Sequence, residues 1–211
     1  MRRLLRAFRV RLAALLDHAS RRVFPEAEGP ADMWQRTMMN EAIEAELREL
    51  KPAELDAAEI SGAGRASLGW RSFTSLDYPE FDLCAPLETG ERFDVVVCEQ
   101  VLEHVVDPNA AARNLRGLCR PGGLVVVSTP FLIRVHELPM FGMYDYWRFT
   151  PRGLRTLLEG AGLEVESVGS WGNAEAVLGN LHRWSSLRRW HPMHNEPDLP
   201  VQVWAFARNP S

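Results

Sequence analysis

Residues 93–130 read FDVVVCEQVLEHVVDPNAAARNLRGLCRPGGLVVVSTP, and this stretch decides the fold. The apolar run FDVVVC predicts a buried strand that ends abruptly at Glu99 and Gln100. A helical segment over 110–120 follows, closed by Pro-Gly-Gly, and a second β-branched strand covers 123–130. This order predicts parallel strands, whose ligands bind beyond their carboxyl ends. The polar pair therefore indicates a ligand site.

The same alternation continues on both sides of this stretch. Further strands are predicted over 55–60, 71–76, 163–171 and 201–208, and a further helix over 150–162. We therefore expect an α/β fold, a Rossmann-like mostly parallel sheet with helices on both faces. We assign residues 53–211 to this domain, with an insertion at 172–200, and residues 1–52 to an N-terminal helical extension.

The charge is distributed unevenly along the chain. The net charge is −4, yet residues 1–22 contain seven arginines and one acid, Asp17. The acidic remainder argues against nucleic acid as a partner. The helical pattern of 1–22 is too rich in arginine for a membrane span, so it predicts a helix that contacts an anionic membrane surface or packs on the domain or a second copy in a homodimer.

Three cysteines, Cys84, Cys98 and Cys119, form no CxxC pair and leave an odd count. Unpaired, apolar cysteines are typical of reduced intracellular proteins. We therefore expect a cytoplasmic protein without a cysteine-based zinc site.

The order of these pieces resembles the class I S-adenosylmethionine-dependent methyltransferases over about residues 55–208. Residues 93–130 are the most specific part of the resemblance. The stretch DYWRFTPRGLRTLLEGAGLEV resembles small-molecule members, among them methyltransferases near bacterial polysaccharide genes. The resemblance implies S-adenosylmethionine as the cofactor.

The glycine turn of that family is irregular here, in EISGAGRASLGW. The resemblance makes Glu59 the acidic partner of the cofactor, with Ser61 where a first glycine usually stands and Gly62 behind it. Only about eight residues separate this turn from the next strand, whereas a parallel crossover normally takes a dozen or more. We therefore expect a first crossover helix shortened to about one turn, and a helix over 32–50 acting as a lid.

The other cofactor contacts implied by the resemblance follow the strand ends. They are Asp77 for the ribose hydroxyls, Tyr78 and the pair Asp82 and Leu83 for the adenine, and Gln100 and Val101 for the methionine end.

The segment 129–150 is long for a loop between a strand and a helix, and such loops are usually functional or disordered. It lies at the ligand end of the sheet, so we expect it to hold the acceptor. We predict His136 as the general base, and Asp145 as an alternative base or as the residue that orients the histidine. The predicted acceptor-binding residues are Glu137, Tyr144, Tyr146, Arg148 and His104.

Three of these assignments have alternatives. In the alternative for Arg148, its side chain pairs with an acid under the loop. In the alternative for His104, its ring only shapes the crevice, and the same holds for its neighbour Glu103. In a further alternative, His136, Glu137 and Asp145 together hold a divalent cation such as Mg²⁺, which would lower the pKa of an alcohol.

The expected function is O-methylation of a small hydroxylated acceptor. A sugar or oligosaccharide leads, because a polar loop is combined with the aromatic insertion at 172–200. One alternative is a phenolic or quinone-like lipid, for which residues 1–22 form a membrane contact. The other alternative is a non-catalytic, cofactor-binding relic with a scaffold or regulatory role.

Overall fold

The computed structural model describes residues 34–88, 90–182 and 194–210, together with Leu15. The helix predicted over residues 1–22 therefore lies outside the described residues, apart from Leu15. The same holds for much of the aromatic insertion, including Trp184, Trp190 and His191.

Six strands form one sheet with the order β2-β1-β3-β4-β6-β5. The strands are β1 (Asp56–Ile60), β2 (Ser72–Leu76), β3 (Phe93–Glu99), β4 (Cys119–Pro130), β5 (Glu164–Trp171) and β6 (Gln202–Arg208). Strands β1 to β4 pair in parallel, and β6 runs antiparallel between β4 and β5. The predicted mostly parallel sheet is confirmed.

Helices cover both faces of the sheet, as predicted. They are α1 (Trp34–Glu49), α2 (Pro108–Leu118), α3 (Pro151–Gly160) and α4 (Ala174–His182). Side chains alternate along a strand, so β3 sends Val96 into the core under α2 and α3, and Val95 into the core under α1 and α4. Met39 and Leu47 attach α1 to the second core and are fully buried there.

Capping side chains set where two helices begin. Asp107 accepts hydrogen bonds from the main-chain nitrogens of Asn109 and Ala110 at the start of α2, and Thr150 does the same for Gly153 in α3. The boundary after α2 differs from the prediction. Helix α2 ends at Leu118, and the Pro-Gly-Gly turn belongs to an irregular first part of β4, where the register against β3 shifts.

The connection from β1 to β2 contains a single 3-10 turn, Ala66–Leu68, where a crossover helix would normally lie. The prediction of a shortened first crossover is confirmed. The predicted domain boundary near residue 52 stays a prediction. Among the described helices, none combines the length and the apolar character that crossing a membrane requires.

Candidate active site

Three segments meet where the parallel strands end. The first is the glycine turn (61–65) after β1, the second is the β3-exit segment (100–106), and the third is the acceptor loop (131–149) after β4. Because β1, β3 and β4 are parallel, their carboxyl ends lie on one edge of the sheet. The sheet thus gathers the segments that the sequence marked as functional.

Glu59 is the buried anchor of the glycine turn. Its carboxylate accepts hydrogen bonds from the main-chain nitrogens of Gly64, at 3.0 Å, and Arg65, at 2.9 Å. Burial raises the pKa of Glu59, although these two bonds oppose the shift. A Cβ on Gly62 would lie 2.9 Å from Glu59 Oε1, so a side chain at this position would make the carboxylate shift.

Arg65 is a functional-site residue that sequence reasoning missed. Its guanidinium forms two hydrogen bonds to Glu99, of 2.6 and 3.0 Å, and one of 2.9 Å to Asn40 of α1. Both side chains of the ion pair are largely buried. The pair joins the ends of β1 and β3 under α1. The polar end of β3 signalled a site, but no spacing rule pairs residues 34 positions apart.

The β2 side of the site is open to solvent. Asp77 and Tyr78 are exposed, as is Asp82. Ser75 Oγ lies 2.7 Å from Asp77 Oδ2 and 2.6 Å from the Gly62 carbonyl oxygen, which ties the end of β2 to the glycine turn.

Of the predicted adenine contacts Asp82 and Leu83, only Asp82 has an exposed side chain. Leu83 is buried in the core, and its carbonyl oxygen accepts a hydrogen bond from Asn114, so only its main-chain amide fits the predicted contact. The open carboxylate of Asp77, the buried carboxylate of Glu59 and the unsubstituted turn at Gly62 fit a ligand that carries a diol at one end and an ammonium group at the other. S-adenosylmethionine has both groups.

Two predicted cofactor residues have unusual backbone conformations. Ser61 has φ 54° and Gln100 has φ 57°, in the left-handed region that favours glycine. The Gln100 nitrogen donates to the Ser128 carbonyl at 2.8 Å, and its side-chain Nε2 donates to Ser128 Oγ at 3.2 Å. Backbone strain of this kind is concentrated at ligand sites, and here it occurs at the ends of β1 and β3. Val101 follows Gln100 and is partly buried.

Hydrogen bonds hold the acceptor loop against the β3-exit segment. The Tyr146 nitrogen donates to the Glu103 carbonyl at 2.7 Å, and Trp147 Nε1 donates to the Val105 carbonyl at 2.8 Å. His104 Nδ1 lies 2.7 Å from the Tyr144 carbonyl oxygen. A carbonyl only accepts, so Nδ1 carries the proton in the neutral ring, and the lone pair of His104 is on Nε2.

His136, the predicted base, meets His104 at this junction. The two ring centroids are 5.0 Å apart and the planes are nearly perpendicular. His136 Nδ1 lies 3.1 Å from Asp145 Oδ2, and the main-chain nitrogen of His136 donates to the same oxygen at 2.8 Å. Burial lowers the pKa of His136, and the nearby Asp145 carboxylate partly offsets this shift.

Asp145 is fixed from its other side by Arg148. The side chain of Asp145 is fully buried, and the guanidinium of Arg148 donates to both of its oxygens. Burial favours the neutral carboxyl, but the bonds from Arg148 and His136 hold the pKa of Asp145 below its ordinary value. This geometry suits the alternative in which Asp145 orients the histidine. The pairing of Arg148 with Asp145 matches the alternative in which Arg148 pairs with an acid under the loop. Arg148 also donates to the carbonyls of Trp147 and Arg134.

Glu103 is the most unusual carboxyl group of the site. Its side chain is completely buried, and neither carboxyl oxygen has a hydrogen-bond partner among the described residues. His104 Nε2 lies 3.8 Å from Glu103 Oε1. Burial raises the pKa of Glu103 to about 8, although Arg36 of α1 and Arg148 oppose the shift. From sequence, this position was predicted only to shape the crevice, because the string LEHV does not show that the side chain is buried.

The cation-binding trio predicted from sequence is not the one that the fold brings together. Glu137 is exposed, whereas His136 faces Asp145 from within the loop. In the described part of the chain, Glu103, His104 and His136 form a different group, with one donor atom of each within 4.8 Å of the others.

Exposed aromatic side chains border this group. Tyr144 is 43% exposed, Tyr146 48% and Trp147 40%. The Tyr144 and Tyr146 rings are 6.2 Å apart and tilted. The predicted acceptor-binding tyrosines therefore lie at a solvent-facing rim beside the partly buried histidines.

Comparison with known proteins identifies the fold and the family. A family profile described as "Methyltransferase domain" matches residues 13–168, which is most of the chain. The chain belongs to this family. This confirms the resemblance to the class I S-adenosylmethionine-dependent methyltransferases that the sequence implied.

The most informative relatives are bacterial proteins. The ubiquinone biosynthesis O-methyltransferase of Ruegeria pomeroyi is 37% identical over 107 residues, which cover 44% of this methyltransferase and 43% of the relative. That of Methylobacterium nodulans is 35% identical over 127 residues, covering 54% and 49%. The methyltransferase thus spans less than half the length of the curated relatives it matches.

A solved S-adenosylmethionine-dependent methyltransferase from Mesorhizobium loti shares the fold. It superposes with a TM-score of 0.55 at 17% identity, over 78% of this chain and 96% of that one. Neither this structure nor the curated relatives support the sugar acceptor expected from the sequence.

Proposed function

We propose that this methyltransferase transfers a methyl group to a phenolic hydroxyl of a small, quinone-like aromatic acceptor. The observation that carries the proposal is that relatives about 35% identical are named ubiquinone biosynthesis O-methyltransferases. The sugar expectation rested on the polar loop combined with the aromatic insertion, whose Trp184 and Trp190 lie outside the described residues. The relatives' names do not support it.

The rim of the site suits a flat ring. Tyr144, Tyr146 and Trp147 present partly exposed aromatic surface, and aromatic pairs favour stacked or edge-to-face contacts. The partly buried His136 and the buried Glu103 belong to the segments that meet beside this rim. A phenol placed on the rim would direct its hydroxyl towards polar groups and leave its apolar substituents outside.

The chain's own residues must orient the acceptor and take its proton. S-adenosylmethionine, when bound, supplies an electrophilic methyl group on a sulfonium sulfur. His136 is the base that we assign, because it lies in the acceptor loop with its Nδ1 3.1 Å from the carboxylate oxygen Oδ2 of Asp145. The Glu59 turn and Asp77 are proposed to hold the two ends of the cofactor, so that the methyl group lies in line with the acceptor oxygen.

The test is methyl transfer from labelled S-adenosylmethionine to matched acceptors. The set is a catechol with an isoprenoid tail, the same catechol without the tail, and a methyl glycoside. We expect label in both catechols and none in the glycoside. Label in the glycoside alone would overturn the proposed acceptor class.

A second measurement separates an inactive relic from an enzyme whose acceptor is missing from the set. Calorimetry with S-adenosylhomocysteine should detect binding of one equivalent. Absence of both binding and transfer would favour the relic, whereas binding without transfer to any catechol would contradict the phenolic acceptor only.

A further inference from the structure

Strand β2 forms an open edge of the sheet. It stands first in the strand order, and β1 is the only strand that pairs with it in the described part of the chain. The connection from β2 to β3 packs on the α2 face of the sheet, where Asn114 of α2 donates to the Leu83 carbonyl at 2.8 Å. Ser72 and Ser75 of β2 are exposed. An open edge presents unpaired main-chain N–H and C=O groups, which are a template for another strand.

The opposite edge of the sheet, β5, has the protection that β2 lacks. Charged side chains and bulges commonly keep an edge strand from pairing with another chain. Strand β5 has both, because Glu164 and Glu166 are exposed and its register against β6 shifts between Val165 and Ser167. Strand β2 reads SFTSL, without a charge or a proline, and its register against β1 is unbroken. The β2 edge is therefore available to a partner strand.

The main-chain groups of β2 have a fixed direction. The nitrogen of Ser61, which directly follows β1, donates to the Leu76 carbonyl at 2.9 Å, so Leu76 directs its main-chain groups towards β1. This direction alternates along a strand, so Phe73 and Ser75 direct theirs outwards. Such an edge is complementary to itself. In an antiparallel pair, Phe73 of each copy exchanges both main-chain bonds with Ser75 of the other, and Thr74 lies opposite its own equivalent on a twofold axis.

We propose that β2 pairs with β2 of a second copy of this chain, antiparallel and centred on Thr74. The charges at the two ends of the strand fit this arrangement. Arg71 of one copy lies opposite Asp77 of the other, and both side chains are exposed, that of Arg71 by 53%. Over residues 71–77 the register places no like charges opposite each other. Complementary charges and self-complementary hydrogen bonds together favour a second copy over an unrelated strand.

This pairing brings the second copy to the open side of the cofactor site. Asp77 and Tyr78 directly follow β2, and Tyr78 is 60% exposed. Arg71 of the second copy then lies beside Asp77, the residue proposed for the ribose hydroxyls. This consequence rests on the proposed cofactor site, whereas the strand pairing itself does not.

The test places charges on the twofold axis of the full-length protein and measures dimers by sedimentation. Wild type should dimerise at concentrations up to about 100 µM, since small interfaces are weak. Thr74→Glu and Thr74→Lys each place like charges opposite each other, whereas a mixture of the two variants places opposite charges there. The mixed dimer should therefore form about 10-fold more tightly than either variant dimerises alone. Ser167→Glu is the matched control, because Ser167 is exposed on the other edge, and it should dimerise like wild type.

Thr74→Cys keeps the pairing testable if a charged variant fails to fold. Opposite residues of a non-hydrogen-bonded antiparallel pair have Cα atoms about 4.5 Å apart, which suits a disulfide, so oxidation should crosslink two copies. Ser167→Cys and wild type, which has three cysteines of its own, should not crosslink.

Four results would overturn the pairing. They are a monomeric wild type, a dimer that tolerates like charges at residue 74, a mixture of folded charge variants that does not restore the dimer, and an absent crosslink in folded Thr74→Cys. Because neither cofactor nor acceptor is used, each result is independent of the proposed function.

Discussion

The Asp145 carboxylate lies directly behind His136. One of its oxygens, Oδ2, is 3.1 Å from the ring nitrogen Nδ1 and accepts the main-chain N–H of the same histidine at 2.8 Å. The same oxygen therefore bonds the backbone of His136 and lies close to its ring. Arg148 binds both Asp145 oxygens, so Arg148 and Asp145 form one charged network beside the histidine.

Asp145→Asn should reduce catalysis more than it reduces cofactor binding. The amide keeps the size of the side chain but offers only one acceptor oxygen, so it cannot serve Arg148 and His136 equally. Loss of a partner behind a functional histidine typically costs about 10- to 100-fold in activity or metal affinity. We expect kcat to fall in that range while the Kd of S-adenosylhomocysteine changes less than about twofold. Equal losses in both would indicate general damage to the fold.

The ion pair between Arg65 and Glu99 should contribute to folding stability in a way that a surface pair does not. Their side chains are 9% and 12% exposed. Arg65→Met leaves the Glu99 carboxylate buried without its partner, a change that typically costs about 3–5 kcal/mol in the free energy of unfolding. The double variant Arg65→Met, Glu99→Gln should recover much of that loss in urea denaturation.

Arg48→Met is the matched control for this measurement. Arg48 pairs with Glu44 on the surface of α1, and its side chain is 60% exposed. Exposed pairs of this kind contribute about 0.3–0.5 kcal/mol. A similar loss of stability in Arg48→Met and Arg65→Met would contradict the assigned role of the buried pair.

Much of the fold was predictable from local sequence pattern. The run FDVVVC is buried on both sides and forms β3, and Thr150 followed by Pro151 begins α3, since both features depend on neighbouring residues alone. The shortened crossover followed from counting residues between the glycine turn and β2. The exception was the Pro-Gly-Gly turn, which was predicted to close α2 but belongs to the first part of β4, where the register against β3 shifts.

The site was less predictable, because its chemistry depends on burial and on distant partners. The acceptor loop and His136 could be selected from composition, but the partner of Glu99 is Arg65, 34 positions away. Likewise, Glu103 follows its strand by only a few residues, yet its unusual state arises from the loop that closes over it through Tyr146. Tertiary contacts of this kind leave no periodic signal in the sequence.

Gly62→Ala should weaken cofactor binding and also lower the free energy of unfolding. Its new Cβ would lie 2.9 Å from Glu59 Oε1 and displace the carboxylate from the nitrogens of Gly64 and Arg65. Losing well-aligned bonds to a charged group costs about 1.5–3 kcal/mol, so the Kd of S-adenosylhomocysteine should rise about 10-fold or more. Gly160→Ala, where nothing lies within 4 Å of the added atom, is the control and should bind normally. An unchanged Kd in Gly62→Ala would remove this turn from the cofactor site.

The Asp56 cluster, remote from the site chemistry, should make folding stability sensitive to acid. Hydrogen bonds from Arg71, followed by Ser72, hold the pKa of Asp56 well below its ordinary value of 3.8. A carboxyl whose pKa is lower in the folded state stabilises the fold fully above its unfolded-state pKa, here 3.8. This contribution is lost as the pH falls from there through the folded-state pKa. Asp56→Asn should therefore lower the urea midpoint at pH 7, and the gap from wild type should narrow progressively below about pH 3.8.

Glu166→Gln, which breaks the partly exposed pair with Arg208, serves as the control for Asp56→Asn. Its urea midpoint should stay close to that of wild type at pH 7, because an exposed pair is screened and contributes little. The distinction lies in the number of partners: Asp56 accepts from Arg71, Ser72 and Arg120 at once, at 2.6 to 3.0 Å. A gap between Asp56→Asn and wild type that stayed constant from pH 7 to pH 2 would mean that the lost stability comes from packing and not from the charge of Asp56.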